Sequence, residues 1–239
     1  MHTCFHAELS EGISELPAEE ATHVGRVLRL REGDEVRLVD GLGGVAVGTL
    51  VQVDKRRALV EVAQVERETD RPQGLIMVVA PTKHTDRFEW LLEKATELGV
   101  EAVIPVWCER SERRVEKHDR WEKVLVAATK QCQRRWKPLL HEAIPLNQLH
   151  LEHKQLANRL GAVAHCMEGL STVSPREPWV SWQQGKHAAW IAIGPEGDFS
   201  LQEVEWLVEA CAATPVHLGN LRLRTETAGM AAIAQFESR

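Results

Sequence analysis

Leu75-Ile-Met-Val-Val-Ala80, six consecutive apolar residues closed by Pro81, constrains the fold more than any other segment. An unbroken apolar run of strand length has no solvent face, so it belongs in a sheet covered on both sides, and such sheets are parallel. Parallel strands need crossover connections, usually helices. The residues after Pro81 supply them. Leu91, Leu92, Ala95 and Leu98 fall on one helical face and Gly99 closes the helix; Asp86 and Glu89 have capping-box spacing at its start. Val100 to Val106 is the next strand. A helix over 120–135 follows, with Trp121, Val124, Leu125 and Ala128 inward. Ala162–Cys166 and Ala188–Ile193 are further strands. An α/β domain over residues 71–239 is expected.

Residues 1–70 follow a different pattern. Val36–Val39, Gly44–Val53 and Ala58–Val65 are short and β-branched, with turns at Gly33-Asp34, Asp40-Gly41 and Asp54-Lys55. One helix, Glu19 to Leu28, interrupts them. A small β-barrel with a helical insertion is predicted. A polar bridge, Arg67 to Gln73, separates the two patterns. Gly41-Leu-Gly-Gly44 lacks the full dinucleotide fingerprint and precedes a strand, so it reads as a hairpin turn.

Composition excludes several classes. At 44% hydrophobic and 27% charged the chain is globular, not disordered. No apolar stretch is long enough to span a bilayer, and Met1–Ser10 holds no apolar run, so a cytoplasmic protein without a membrane partner is expected. Five widely spaced cysteines without a CxxC pair give neither a disulfide framework nor a zinc site. His2, Cys4 and His6 alternate, but a metal there would need a further ligand, and no metal is expected.

The net charge of −6 conceals an uneven distribution. Residues 1–70 carry 8 Lys/Arg against 14 Asp/Glu; the remainder carries 21 of each. Within the remainder, Arg110 to Lys137 holds 10 basic and 4 acidic residues. A basic stretch of this kind is what phosphate binding leaves, and it is also what a solvated helix face leaves.

Two segments carry the chemistry. Ile193-Gly-Pro-Glu-Gly-Asp-Phe-Ser200 joins a strand to a helix, with Ser200 and Glu203 as a capping box. Such a turn lies at the carboxyl end of a strand, where open α/β sheets bind ligands. Gly194 and Gly197 would let a ligand approach the backbone, or simply make a tight turn. Val216-His-Leu-Gly-Asn-Leu-Arg-Leu-Arg-Thr-Glu-Thr-Ala228 repeats the design: strand, Gly219 loop, then a helix with Thr225 as N-cap. Arg222 and Arg224 precede that helix, where an anion is favoured. Glu226 in its first turn also complements the dipole.

Together these segments resemble the SPOUT class of RNA methyltransferases, and within it the 16S ribosomal RNA uracil-N3 methyltransferases (ribosomal small subunit methyltransferase E). The family pattern runs Gly-Pro-Glu-Gly-Gly-Phe, then Leu-Gly-x-Arg-Ile-Leu-Arg-Thr-Glu-Thr-Ala. His23-Val-Gly-Arg-Val-Leu-Arg29, Lys94-Ala-Thr-Glu-Leu-Gly-Val100, Glu109-Arg-Ser111, Arg120-Trp121, Ala127-Ala128 and Gln131 match as well, so the resemblance spans nearly the whole chain. Three positions depart from it. Asp198 and Gln133 stand where glycine is usual, and Leu221-Arg222 exchanges the usual order.

The resemblance implies a SPOUT domain with a deep trefoil knot behind a PUA-like RNA-binding β-domain, and a homodimer with the active site near the subunit interface. It implies S-adenosylmethionine held by knot loops, here around Cys166, Met167, Glu168, Ile193, Gly194, Glu196, Gly197, Leu218, Gly219 and Leu223. The implied substrate is uracil N3 of 16S ribosomal RNA on the small subunit, the family target being uridine 1498. Methylating N3 requires removal of its proton or stabilisation of the ring anion. Arg224 is the expected cation and Glu226 a candidate base. Arg26, Arg29, Arg110, Arg134, Arg135 and Lys137 are expected to hold RNA, with Trp136 stacking on an unpaired base. Two other readings remain: a non-catalytic RNA-binding adaptor of the same fold, and a doubly wound nucleotide-binding enzyme. Intact loop glycines oppose the first. The missing GxGxxG and GxxxxGK[ST] motifs oppose the second.

Overall fold

A computed structural model of the chain describes residues 1–167 and 175–237. The chain divides into two compact units, the first comprising Met1–Pro72 with Leu125–Lys137 and the second Gln73–Val124 with Pro138–Arg239.

The first unit is built on one sheet. Its strands are β1 (His2–Phe5), β2 (Gly12–Glu15), β3 (Glu35–Val39), β4 (Gly44–Val53), β5 (Ala58–Val62) and β6 (Glu66–Arg67). Their order is β1-β3-β4-β5-β2, with β6 beside β4. Alternation sets which face is buried: Val36 and Leu38 of β3 join Cys4, Leu50 and Val60 in the core, whereas Glu35 is exposed. Helix α1 (Ala18–Thr22) continues as a π-helical turn over His23–Leu28 and stops at Arg29, whose φ is 57°. The predicted helix over 19–28 is therefore one continuous helical segment whose last turn is widened.

A cut at residue 70 falls close to Pro72 but misses Leu125–Lys137. That segment clusters with the first unit through backbone bonds: Gly43 N donates to Arg135 O, and Lys137 N donates to Gly41 O. Lys130 pairs with Glu20 at 2.5 Å. Nothing in hydrophobic periodicity signals such a return.

The second unit holds β7 (Leu75–Val79), β8 (Ala102–Trp107), β9 (Leu139–Leu140), β10 (Ile144–Pro145), β11 (Leu160–Ala164), β12 (Glu177–Pro178), β13 (Ala189–Ile193) and β14 (Ala213–His217). The order is β10-β8-β7-β13-β11-β14-β12, with β9 beside β8, and every pairing is parallel. The helices are α2 (Thr85–Glu97), α3 (His118–Gln131, whose last turns belong to the first unit), α4 (Leu149–Glu152), α5 (Trp179–Trp182), α6 (Leu201–Cys211) and α7 (Thr225–Glu237).

Both faces of β7 are covered, as its composition requires. Ile76 and Val78 pack in one cluster with Val204 and Leu207 of α6. On the opposite face the Met77 sulfur and Leu91 of α2 crowd Gly229 of α7; a Cβ there would lie 2.7 Å from a Leu91 methyl. The capping box at α6 is formed: Ser200 Oγ accepts from Glu203 N, and Glu203 Oε2 accepts from Ser200 N. The one expected at α2 is not. That helix starts a residue before Asp86, after His84 and without a side-chain cap. Among the described residues no helix is long and apolar enough to cross a membrane.

Candidate cofactor site

Three neighbouring parallel strands end at one place. Ala164 is level with Ile193 on one side and with Val216 on the other, so the chain after β11, β13 and β14 emerges along a single edge. A cavity of about 580 Å³ lies there. Its wall includes His165 and Cys166 after β11, Ile193 to Glu196 and Asp198 after β13, and His217 to Leu223 after β14. Arg176, Thr225 and Ala228 complete it.

Hydrogen bonds lock these loops together. Thr225 Oγ1 donates to Gly194 O at 2.9 Å, tying the start of α7 to the β13 loop. Thr225 is thus the first helical residue rather than the N-cap, and Arg224 O accepts the first helical bond from Ala228 N at 2.7 Å. Asp198 Oδ2 accepts from Cys166 N, and its Oδ1 from Phe199 N, each at 2.8 Å. Arg176 Nη1 donates to His165 O at 2.8 Å.

His165 is buried, yet among the described residues neither ring nitrogen has a partner. Burial, then the Arg176 charge, lowers its pKa against the opposing pull of Asp198, so the ring is neutral at pH 7. Buried polar atoms are rarely left unpaired in folded proteins. Burial, then Asp198, raises the Cys166 thiol, with Arg222 and Arg176 opposing. The wall thus offers two guanidiniums, two carboxylates and neutral side chains with hydrogen bonds to give.

Of the expected cofactor residues, Ile193, Gly194, Glu196, Leu218, Gly219 and Leu223 line the cavity. Gly219 has φ 140° and open space where a Cβ would be. Gly197 is not on the wall. A Cβ there would meet the Arg110 side chain at 3.3 Å, and Gly197 O accepts from Arg110 Nη1 at 3.0 Å. Gly194 is needed for a different reason from ligand access: a Cβ would lie 3.0 Å from Phe199 N, inside the loop's own turn. Met167 is half-buried and packs on the hydrophobic core rather than the cavity. Glu168 lies outside the described residues.

Arg222 borders the cavity, and Arg224 is exposed beyond the wall at the start of α7. Glu226 is buried, off the wall. One oxygen lies 3.8 Å from Arg87 Nη1, and the other is buried without a partner among the described residues. Sequence reasoning missed His165, Arg176 and His217. A lone His after a strand carries no signal, and Arg176 reaches the site from a separate segment.

The expected RNA-binding residues do not form one group. Arg26 and Arg29 are exposed at the end of the widened helical turn. Arg110 is taken up by Gly197 O and Phe199 O. Arg135 pairs with Glu66 at 2.8 Å and Glu68 at 3.4 Å. Arg134 and Lys137 are half-buried. Trp136 donates to Glu68, and the Arg71 guanidinium lies 4.7 Å over its ring, where a base was expected.

The family matches divide the chain in sequence, and the C-terminal one includes the Leu125–Lys137 segment that packs with the first unit. Residues 69–237 match the RNA methyltransferase domain family and residues 16–63 the RNA methyltransferase PUA domain family. The chain belongs to the ribosomal RNA small subunit methyltransferase E family. It is 29% identical to the Rickettsia conorii ribosomal RNA small subunit methyltransferase E, over 92% of this chain and 88% of that one. It is 28% identical to the Bacillus subtilis protein, over 92% and 87%. A probable rRNA-methyltransferase from Porphyromonas gingivalis superposes with a TM-score of 0.84 at 33% identity, covering 98% of this chain and 95% of that one. The Neisseria gonorrhoeae small subunit methyltransferase E, bound to S-adenosyl methionine, gives 0.81 at 27% identity, covering 98% and 95%. The fold is accordingly a PUA-like β-domain followed by a SPOUT methyltransferase domain. Asp198 (φ 65°) and Gln133 (φ 58°), two of the departures from the resemblance noted in the sequence, occupy left-handed backbone that glycine adopts without strain.

Proposed function

We propose that this chain methylates N3 of a uracil in 16S ribosomal RNA, the family target uridine 1498, using S-adenosylmethionine, as a cytoplasmic homodimer. The observation that carries this reading is the cavity at the β11, β13 and β14 ends, where both ring nitrogens of buried His165 are unpaired among the described residues. A ligand with nitrogen and oxygen edges, a carboxylate and positive charge suits a wall made of imidazole, guanidinium, carboxylate and backbone groups. Bound there, the cofactor supplies a methyl already activated on cationic sulfur, so no metal is required.

The chain's residues divide the remaining tasks. Arg222, on the wall, holds an anionic group of the cofactor. Arg224, just outside it, would offer positive charge to the ring oxygens of a flipped-out base as N3 loses its proton. Glu226 orients Arg87 and the start of α7; as a base it would first have to leave that contact. Arg26 and Arg29 meet RNA phosphates. The adaptor reading is the weaker one, since a cavity with unpaired buried nitrogens has no purpose in it.

The direct test is methylation of small-subunit particles by purified protein with labelled S-adenosylmethionine, followed by nucleoside analysis. Label in 3-methyluridine supports the reading; label in another nucleoside, or none, refutes it.

A further inference from the structure

We propose that the Asp198 carboxylate makes the cavity selective for the cationic sulfonium of S-adenosylmethionine over the neutral thioether of S-adenosylhomocysteine, the product left when the methyl departs. The inference rests on the cofactor reading above and adds a residue role specific to this chain.

Asp198 stands in left-handed backbone, φ 65°, which disfavours side chains and which aspartate tolerates better than most. Glycine would make the same turn without strain, so the turn alone does not call for a carboxylate. Its two oxygens are each anchored by one backbone N–H, from Cys166 and from Phe199. A carboxylate has about four acceptor positions, so about two remain open. Asp198 borders the cavity, and the two anchors hold its charge against that space. The anchors also bridge the ends of β11 and β13, so the charge is fixed by the loops that form the wall. Preorganised charge of this kind needs no rearrangement when a cation arrives.

The other charged groups on the wall do not substitute for it. Glu196 is exposed, and one of its oxygens accepts from Lys83 N outside the cavity. Arg176 and Arg222 repel a sulfonium and suit the carboxylate end of the cofactor. His165 and Cys166 are neutral at pH 7. Among the described residues, Asp198 is thus the half-buried anion of the wall. The two ligands differ by one methyl and one positive charge, and a fixed carboxylate distinguishes them through the charge. At an effective dielectric near 20, unit charges several ångströms apart interact strongly enough for about a tenfold preference or more. Such a preference would lessen product inhibition.

The test is calorimetric titration of wild type, Asp198→Asn and Asp198→Gly with each ligand. Both replacements accept left-handed backbone, so folding is preserved, which thermal unfolding checks. We expect the dissociation constant for S-adenosylmethionine to rise about tenfold in both variants, with that for S-adenosylhomocysteine changing less than about threefold. Equal weakening of both ligands, or no change in either, would overturn the proposal; equal weakening would make Asp198 a loop staple only. A wild-type protein that binds neither ligand would overturn the cofactor reading, and this inference with it.

Discussion

The cavity loops and the basic stretch from Arg110 to Lys137 both look like binding elements in sequence, and the fold uses them in opposite ways. Around the cavity, polar groups keep capacity to spare: among the described residues neither nitrogen of the His165 ring has a partner, and Arg222 and the Asp198 carboxylate, which accepts one backbone N–H on each oxygen, border the open space. Along the basic stretch, cations are consumed internally. Arg110 braces the β13 loop, Arg114 donates to Cys108 O, Arg120 pairs with Glu89, Lys130 with Glu20, and Arg135 with Glu66 and Glu68. A run of like charge is weak support for a ligand, because acidic neighbours distant in sequence can neutralise it. An unpaired buried atom is stronger support, since folding has left its desolvation cost unmet.

The contrast is tested most severely by separating Arg222 from Arg224. Arg224→Ala is expected to lower turnover about a hundredfold while cofactor affinity stays near wild type, the signature of a group acting on the transition state. Arg222→Ala should instead raise the cofactor dissociation constant. Single-turnover methylation and calorimetry on both variants decide it, and the reverse pattern would exchange their roles.

The loop glycines give the next largest effect. Gly194→Ala is expected to cost about tenfold or more in cofactor affinity, because its Cβ would press on Phe199 N inside the turn. Gly197→Ala should change affinity less than about threefold, its Cβ meeting only the Arg110 side chain. Equal losses would return Gly197 to the cavity wall.

His165 makes the contrast depend on pH. Its folded-state pKa lies below the ordinary 6.5, so near and below that value the unfolded chain binds more protons than the folded one. Stability from this group is therefore complete above pH 6.5 and is lost as pH falls. Unfolding midpoints from pH 8 to 5 should decline on the acid side, and His165→Gln should flatten part of the decline. An unchanged profile would mean that the buried ring does not titrate.

The smallest effects belong to the basic residues. Arg26→Ala with Arg29→Ala should reduce the salt dependence of RNA binding by about 0.7 to 0.9 of a log unit per lost phosphate contact. Arg135→Ala should leave that slope alone and lower the melting temperature by no more than about 2 °C, as expected for a largely exposed ion pair. A changed slope for Arg135→Ala would restore the stretch as an RNA surface.

These differences track what a sequence can carry. The run Leu75–Val79 declares a doubly covered strand because burial on both faces has to be written in every residue. The Ser200–Glu203 box is legible because both partners lie within one turn. At Asp86 the same spacing is present but the helix starts elsewhere; at Thr225 the hydroxyl turns to Gly194 O, 31 residues away. The return of Leu125–Lys137 to the first unit, and the meeting of His165, Arg176 and Asp198, rest on long-range contacts that no local pattern records. The resemblance to the family supplied the cofactor loops as segments. Which side chain in each segment faces the cavity became clear only from the fold.

The central claim is that this cavity serves methylation of a small-subunit uracil at N3. Mass spectrometry of nucleosides from 16S ribosomal RNA of cells lacking the protein tests it most directly, with wild type and Arg224→Ala restored in parallel. The account predicts that 3-methyluridine disappears, returns with wild type and returns poorly with Arg224→Ala. An undiminished 3-methyluridine peak in the cells lacking the protein would contradict it.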